Sequence, residues 1–256
     1  MSKIIAITNQ KGGVGKTTTS INLAASFALM QRKVMLIDLD PQGNATVGSG
    51  VSLANIKHSA SKVLCQEVRL SEALIETIGK FHLLAGAQDL IVAEMNLLQV
   101  DERAFRLKNI LETAATQFDY ILIDCPPALN VLTVNALAAA NDVLIPVQCE
   151  YFALEGLSAL LKTISEMQKT INISLKIAGL LRTMYDGRNR LALDVSQQLL
   201  QAFPAQVYRT VIPRNVRLAE APSHGIPVHY YDDKSPGALA YLALAGEILR
   251  REEGKI

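Results

Sequence analysis

The chain has 256 residues, half of them apolar and 19% charged, with a formal net charge of +1. That composition excludes a disordered chain, and the near-neutral balance leaves nucleic-acid binding only to a local patch. Three cysteines, Cys65, Cys125 and Cys149, stand far apart with no C-x-x-C pair, which argues against a disulfide framework or zinc site and for reduced thiols in a cytoplasmic protein.

The opening "MSKIIAIT" reaches polar Asn9, Gln10 and Lys11 before a signal-peptide core is complete. The late apolar run "ALAYLALAG" has roughly half the length needed to cross a bilayer. A soluble protein with no membrane contact is expected. Short Ile- and Val-rich runs then alternate with segments of helical period. Strands are expected at 3–8, 33–38, 81–85, 119–124, 142–147, 176–183 and 205–210, and helices at 16–30, 102–117, 153–170, 189–202 and 236–251. This is the βαβ pattern, so the expected fold class is α/β, a mostly parallel twisted sheet flanked by helices. Residues 44–75 are the least regular and read as a small excursion from the sheet. With no long linker and no repeat, residues 1–256 read as a single domain.

The first strand runs into "NQKGGVGKTTTS" and then a helix. Gly12, Gly13 and Gly15 let consecutive N–H groups, Val14 among them, turn inward around phosphate oxygens. The helix N-terminus adds a partial positive charge at the same point, beside Thr18. Lys16 brings a full charge to the β- and γ-phosphates, and the Thr17 hydroxyl is placed for Mg²⁺. The strict G-x-x-x-x-G-K-[ST] pattern fails only where Gln10 stands in place of its first glycine. Two further strands end in acid. "DYILIDCPP" delivers Asp124, and "KVMLIDLDPQGN" delivers Asp38 and Asp40, all on the sheet edge that carries the loop. Asp124 is suited to hold a water bound to magnesium. For any one of these aspartates a helix cap or loop ion pair is the plain alternative.

"KGGVGKT" resembles the deviant Walker A motif of the ParA/MinD group of P-loop ATPases, whose mark is the additional lysine, here Lys11. The resemblance extends through "PPALNVLTVNALAAANDVLIPVQCEYFALEGL", "LLRTMYDGRNRL" and "VIPRNVRLAEAPSHGIPV", and so over nearly the whole chain. It implies a P-loop NTPase fold and slow ATP hydrolysis with Mg²⁺. Lys11 would reach the phosphates held by the other subunit of an ATP-bound homodimer, while Asp40 orients the attacking water and Asp38 supports the metal site. Pro213 and Asn215 would carry the base, and Glu150 a ribose or cross-dimer contact. Without the family match, Lys11 reads equally as a solvated surface lysine. The chain starts directly at its first strand, as in a short, chromosomal-type ParA without an N-terminal helix-turn-helix.

Residues 176–217 hold Lys176, Arg182, Arg188, Arg190, Arg209, Arg214 and Arg217 against Asp186 and Asp194. By charge count alone, a solvated set and a DNA-binding face are equally good readings. The resemblance favours nonspecific double-stranded DNA, with Arg188, Arg190 and Arg217 as contacts, a ParB-like activator that triggers hydrolysis, and a nucleoid-associated location. The last helix is poor in lysine, which limits the basic surface. A ParA relative that positions a protein cargo would share every ATP-site residue. A MinD-like membrane cycle fits poorly with the acidic "LRREEGKI" end. A cluster-bridging iron protein fits poorly with cysteines in apolar contexts.

Overall fold

The computed structural model describes residues 2–114 and 116–254. Its first half runs β1 (Lys3–Ile7), α1 (Lys16–Leu29), β2 (Val34–Asp38), α2 (Asn44–Gly48), α3 (Ala60–Leu64), α4 (Leu70–Ala73), β3 (Leu74–Glu76), β4 (His82–Leu84), α5 (Leu90–Leu97), α6 (Arg106–Ala114) and β5 (Tyr120–Asp124). The second half runs α7 (Val131–Ala139), β6 (Asp142–Gln148), α8 (Ala153–Thr170), β7 (Lys176–Tyr185), α9 (Arg190–Ala202), β8 (Val207–Pro213), α10 (Val216–Glu220), α11 (Val228–Tyr231) and α12 (Pro236–Glu252).

The strands form one eight-stranded sheet in the order β3-β4-β2-β5-β1-β6-β7-β8. Among the described residues only the β3–β4 pair is antiparallel. The central strands "KIIAI", "VMLID" and "YILID" are apolar almost throughout because helices cover both of their faces. Alternate side chains still go to opposite sides. Ile4, Ala6, Met35, Ile37, Ile121 and Ile123 meet α5 to α9. Ile5, Ile7, Val34, Leu36 and Leu122 meet α1 and α12. β1 lies between β5 and β6: the connection out of β1 runs to β2 on one side, whereas the connection out of β5 crosses over β1 to β6 on the other. Beyond the carboxyl end of such a strand lies a crevice, and the glycine loop opens into it.

The expected α/β class and sheet are present, with three local differences. Residues 44–75 are not an excursion: Ala45, Ala60, Val63 and Leu64 are buried, and the segment ends in the short edge strand β3. The helix expected from 102 starts at Arg106, because Glu102 turns left-handed at φ 56° and the Leu107 N–H is taken by the Asn135 side chain. The strand expected at 205–210 runs from Val207 to Pro213. The expected helix 102–117 crosses Ala115, and the expected domain limits at 1 and 256 fall with Lys255 on positions outside the described residues.

Candidate functional site

The loop between β1 and α1 bends through Gly13 at φ 73° and Gly15 at φ 85°, torsions that a side chain would strain. A Cβ on Gly12 would meet nothing within 4 Å, so the loop's outer wall is open. The loop is tied down from behind. The Thr183 hydroxyl donates to the Val14 carbonyl at 2.8 Å, and Val14 itself is buried. Gly12, Gly13, Thr17, Thr18 and Asp40 help line a cleft of about 680 Å³ at this edge.

Lys16 opens α1 and is only 7% exposed. Its ammonium donates to the Lys11 carbonyl at 3.2 Å. Burial lowers its pKa, while Asp124 and Asp40 work to keep it charged. Asp124 has no exposure at all and accepts from Thr17 Oγ1 at 2.9 Å and Ser20 Oγ at 2.8 Å. Asp38 stands directly beside it in register on β2. Burial, and for Asp124 the neighbouring Asp38 charge, push both carboxyls above the ordinary aspartate range; hydroxyl and amide donors offset part of this. Two buried, mutually repelling carboxylates beside a hydroxyl form a donor set that a divalent cation would relieve. Among the described residues no group of three or more His, Cys, Asp or Glu side chains is placed to hold a metal. The set therefore suits a cation that shares its ligands with phosphate oxygens rather than a protein-only cage.

Asp38 spends its own oxygens on the loop that follows. Oδ1 accepts the Asp40 N–H at 3.1 Å, and Oδ2 accepts the Thr46 N–H at 2.8 Å and hydroxyl at 2.7 Å. It acts on the site by fixing the path of residues 40–46, which leaves Asp40 half-buried on the cleft wall.

Lys11 goes elsewhere. Its ammonium lies 2.7 Å from Glu150 Oε2, both side chains are well exposed, and neither residue lines the cleft. Asn9 sets this up, since its Oδ1 takes the Lys11 N–H at 3.0 Å and its amide donates to the Pro146 carbonyl at 2.7 Å. Pro213 and Asn215 stand at the end of β8 and do not line the cleft either. Among the described residues Asn215 Oδ1 is buried with no hydrogen-bond partner.

The basic residues do not form one block. Arg188 is forked onto Asp186 at 2.9 and 2.8 Å. Arg190 is exposed at the start of α9. Arg217 is held by Glu220 at 2.8 Å and Asp232 at 3.2 Å. Arg182 is buried, and Lys176 begins β7 at the opposite end from Arg188. Cys125 and Cys149 are buried, and burial raises both thiols, as expected for inert apolar cysteines.

Ser20, Thr46, Thr183 and Asn9 were not among the expected site residues. Each is a small polar side chain whose partner lies on another element, and only the run "TTTS" after Lys16 hints at Ser20. Size alone does not locate the site. A groove of about 660 Å³ runs between Val63, Leu70 and Ile110, with no buried charge converging on it.

A family model described as an AAA domain matches residues 2–177. The sporulation initiation inhibitor protein Soj of Bacillus subtilis is 49% identical over 97% of this chain and 98% of its own. The chromosome partitioning protein ParA of Myxococcus xanthus is 47% identical over 100% of this chain and 90% of its own. Among solved structures, cobyrinic acid a,c-diamide synthase from Mycobacterium smegmatis, with bound ATP analog and magnesium, superposes with a TM-score of 0.88 at 37% identity, covering 100% of this chain and 98% of that one. The loop with its second lysine, the paired strand-end aspartates and this full-length kinship agree: the chain belongs to the Soj/ParA family of chromosome-partitioning ATPases.

Proposed function

We propose that this chain is an ATP-driven partitioning switch, a single ATPase domain over residues 1–256. ATP and Mg²⁺ close two copies into a sandwich dimer, the dimer binds DNA without sequence preference, and a ParB-like partner stimulates hydrolysis and release. Gly12, Gly13, Val14, Gly15 and Thr18 cradle the phosphates with backbone and hydroxyl donors. Lys16 supplies charge from a buried position, where it is screened least. Thr17 and Asp124 hold the cation, with Asp38 behind them as the residue that shapes the Asp40 loop. A cation held there would supply positive charge to offset the charge on the phosphate oxygens. Asp40 on the cleft wall orients the water. Pro213 and the unpartnered Asn215 Oδ1 suit a base that offers an N–H donor, as adenine does.

The observation that carries the reading is the position of Lys11. A second lysine that served its own chain's nucleotide would line its own cleft. This one is held outside it by Glu150, in reach of solvent and of a facing molecule. Opposed triphosphates repel strongly once water leaves, and one lysine delivered across each way offsets that repulsion. Arg188, Arg190 and Arg217 serve as DNA contacts, with Arg188 and Arg217 the weaker ones because Asp186 holds the first and Glu220 and Asp232 the second.

The test compares Lys11→Ala and Lys16→Ala with the unaltered chain for ATP affinity, ATP-dependent dimerisation by light scattering, and DNA retention. Lys11→Ala keeps ATP affinity and loses both the dimer and DNA. Lys16→Ala loses ATP affinity itself. A Lys11→Ala chain that still dimerises on DNA with ATP removes the cross-subunit role.

A further inference from the structure

β8 carries the Pro213–Asn215 turn, yet its ladder with β7 is broken twice. From Leu180 to Arg182 β7 advances two residues while β8 advances four, from Val207 to Val211. From Arg182 to Tyr185 β7 advances three while β8 advances two, to Pro213. The first mismatch puts two additional residues into β8. The second puts one into β7, where Met184 adopts a φ of 47° in the left-handed region and lines the cleft. β8 is also the sheet edge, with no further strand beyond it among the described residues. Backbone groups stranded in a bulge need other partners.

Two charged side chains take that place, one from each face. On the α9 side, Arg182 Nη2 donates to the carbonyls of Tyr208 at 2.9 Å and Arg209 at 3.2 Å, and Nη1 donates to Ser196 Oγ at 2.9 Å. On the α12 side, the two oxygens of Glu247 accept the N–H groups of Arg209 and Thr210, each at 2.9 Å. Arg251 then closes over Glu247 at 2.8 Å and takes the Val207 carbonyl at 2.9 Å. Arg182 is 7% exposed and Glu247 2%. Arg182 pairs with no carboxylate among the described residues, and its Nε has no partner. A buried charge without a counter-ion is a poor way to gain stability, since apolar packing does as well or better. Its use here is geometric.

The same offset connects the two halves of the candidate nucleotide site. Past the bulge, β7 places Thr183 on the Val14 carbonyl of the loop, and Arg214 N–H returns to the Tyr185 carbonyl at 3.2 Å. One residue of slip along a strand moves a group by about 3.3 Å, enough to carry Asn215 away from a base whose phosphates are fixed at the loop. We infer that Arg182 and Glu247 are positioning residues that lock the β7–β8 offset and so set the height of the Pro213–Asn215 turn above the phosphate loop. The inference rests on the proposed reading of that turn as the base-holding element.

The test separates base from phosphate binding. Affinities for Mg-ATP and for magnesium tripolyphosphate, which has no base, are measured for Arg182→Lys, Arg182→Met and Glu247→Gln, with Asn215→Ala alongside. Arg182→Lys and Glu247→Gln stay close to the native side-chain volume and so keep the measurement open where Arg182→Met folds poorly. ATP affinity should fall about tenfold in each variant while tripolyphosphate affinity changes less than about twofold. Equal loss of both ligands, or of neither, overturns the positioning role. If Asn215→Ala leaves the ratio of the two affinities unchanged, the base reading fails and takes the inference with it. If Asn215→Ala lowers that ratio and the Arg182 and Glu247 variants do not, only the positioning role falls.

Discussion

Glu150→Gln unties Lys11 with almost no change in side-chain size, and the sign of its effect decides what Glu150 does. In the separate protomer the Lys11 ammonium sits on Glu150 at 2.7 Å. If Lys11 must leave to reach a facing nucleotide, the pair opposes dimer formation. The side chains are 39% and 47% exposed, so solvent screens the interaction, and it is worth about 0.2–1 kcal/mol. A dimer breaks it twice. Removing the carboxylate should therefore favour the ATP-bound dimer by about 0.4–2 kcal/mol, a roughly two- to thirtyfold larger association constant. The difference should shrink as salt is raised, because exposed charges are screened within a Debye length of about 8–10 Å.

The assay is sedimentation velocity over a range of protein concentrations at saturating Mg-ATP. Both chains carry Asp40→Ala so that hydrolysis does not drain the dimer. A ribose or cross-dimer contact from Glu150, the role implied by family resemblance, requires the opposite sign. A weaker dimer in Glu150→Gln, or no change at low salt, refutes the reasoning above.

Other substitutions test separate parts of the site. Asp40→Ala should keep ATP-dependent dimerisation and lose phosphate release; unchanged release removes Asp40 from the chemistry. Arg190→Ala should weaken DNA retention more than Arg217→Ala, since Glu220 and Asp232 already hold Arg217; salt titrations of filter binding, read as slopes, check this. Gly86→Ala would set a Cβ 2.5 Å from the Asp38 carbonyl oxygen, and should lower Tm by several degrees and slow hydrolysis through the displaced Asp38 loop. Burial lowers the pKa of His229 below its ordinary 6.5, with Asp233 opposing. Below that pH the unfolded chain binds a proton that the folded chain resists. Stability should hold above about pH 6.5 and fall as pH drops below it, and His229→Gln should flatten that fall in thermal melts.

How much of this is readable before folding depends on how far apart the partners lie. The sheet was legible because parallel strands covered on both faces read as unbroken apolar runs, and "YILID" and "VMLID" announce their terminal aspartates. The loop was legible because its glycines, lysine and threonine are consecutive. β3 was not: three half-exposed residues in an antiparallel edge strand carry too short a pattern to stand out. Distance hides the rest of the site. Ser20 meets Asp124 across 104 positions, Thr183 meets Val14 across 169, and Lys11 meets Glu150 across 139. Arg182 illustrates the same point in the other direction. In a charge count it adds to a basic stretch offered to DNA, whereas the fold turns it inward to two backbone carbonyls of a bulged strand. Whether an arginine faces a phosphate or a peptide group is set by strand register, which local composition does not encode. Motifs whose members are neighbours in the chain can be read from it directly; the residues that aim those motifs come from elements far away, and become visible only when the sheet brings them together.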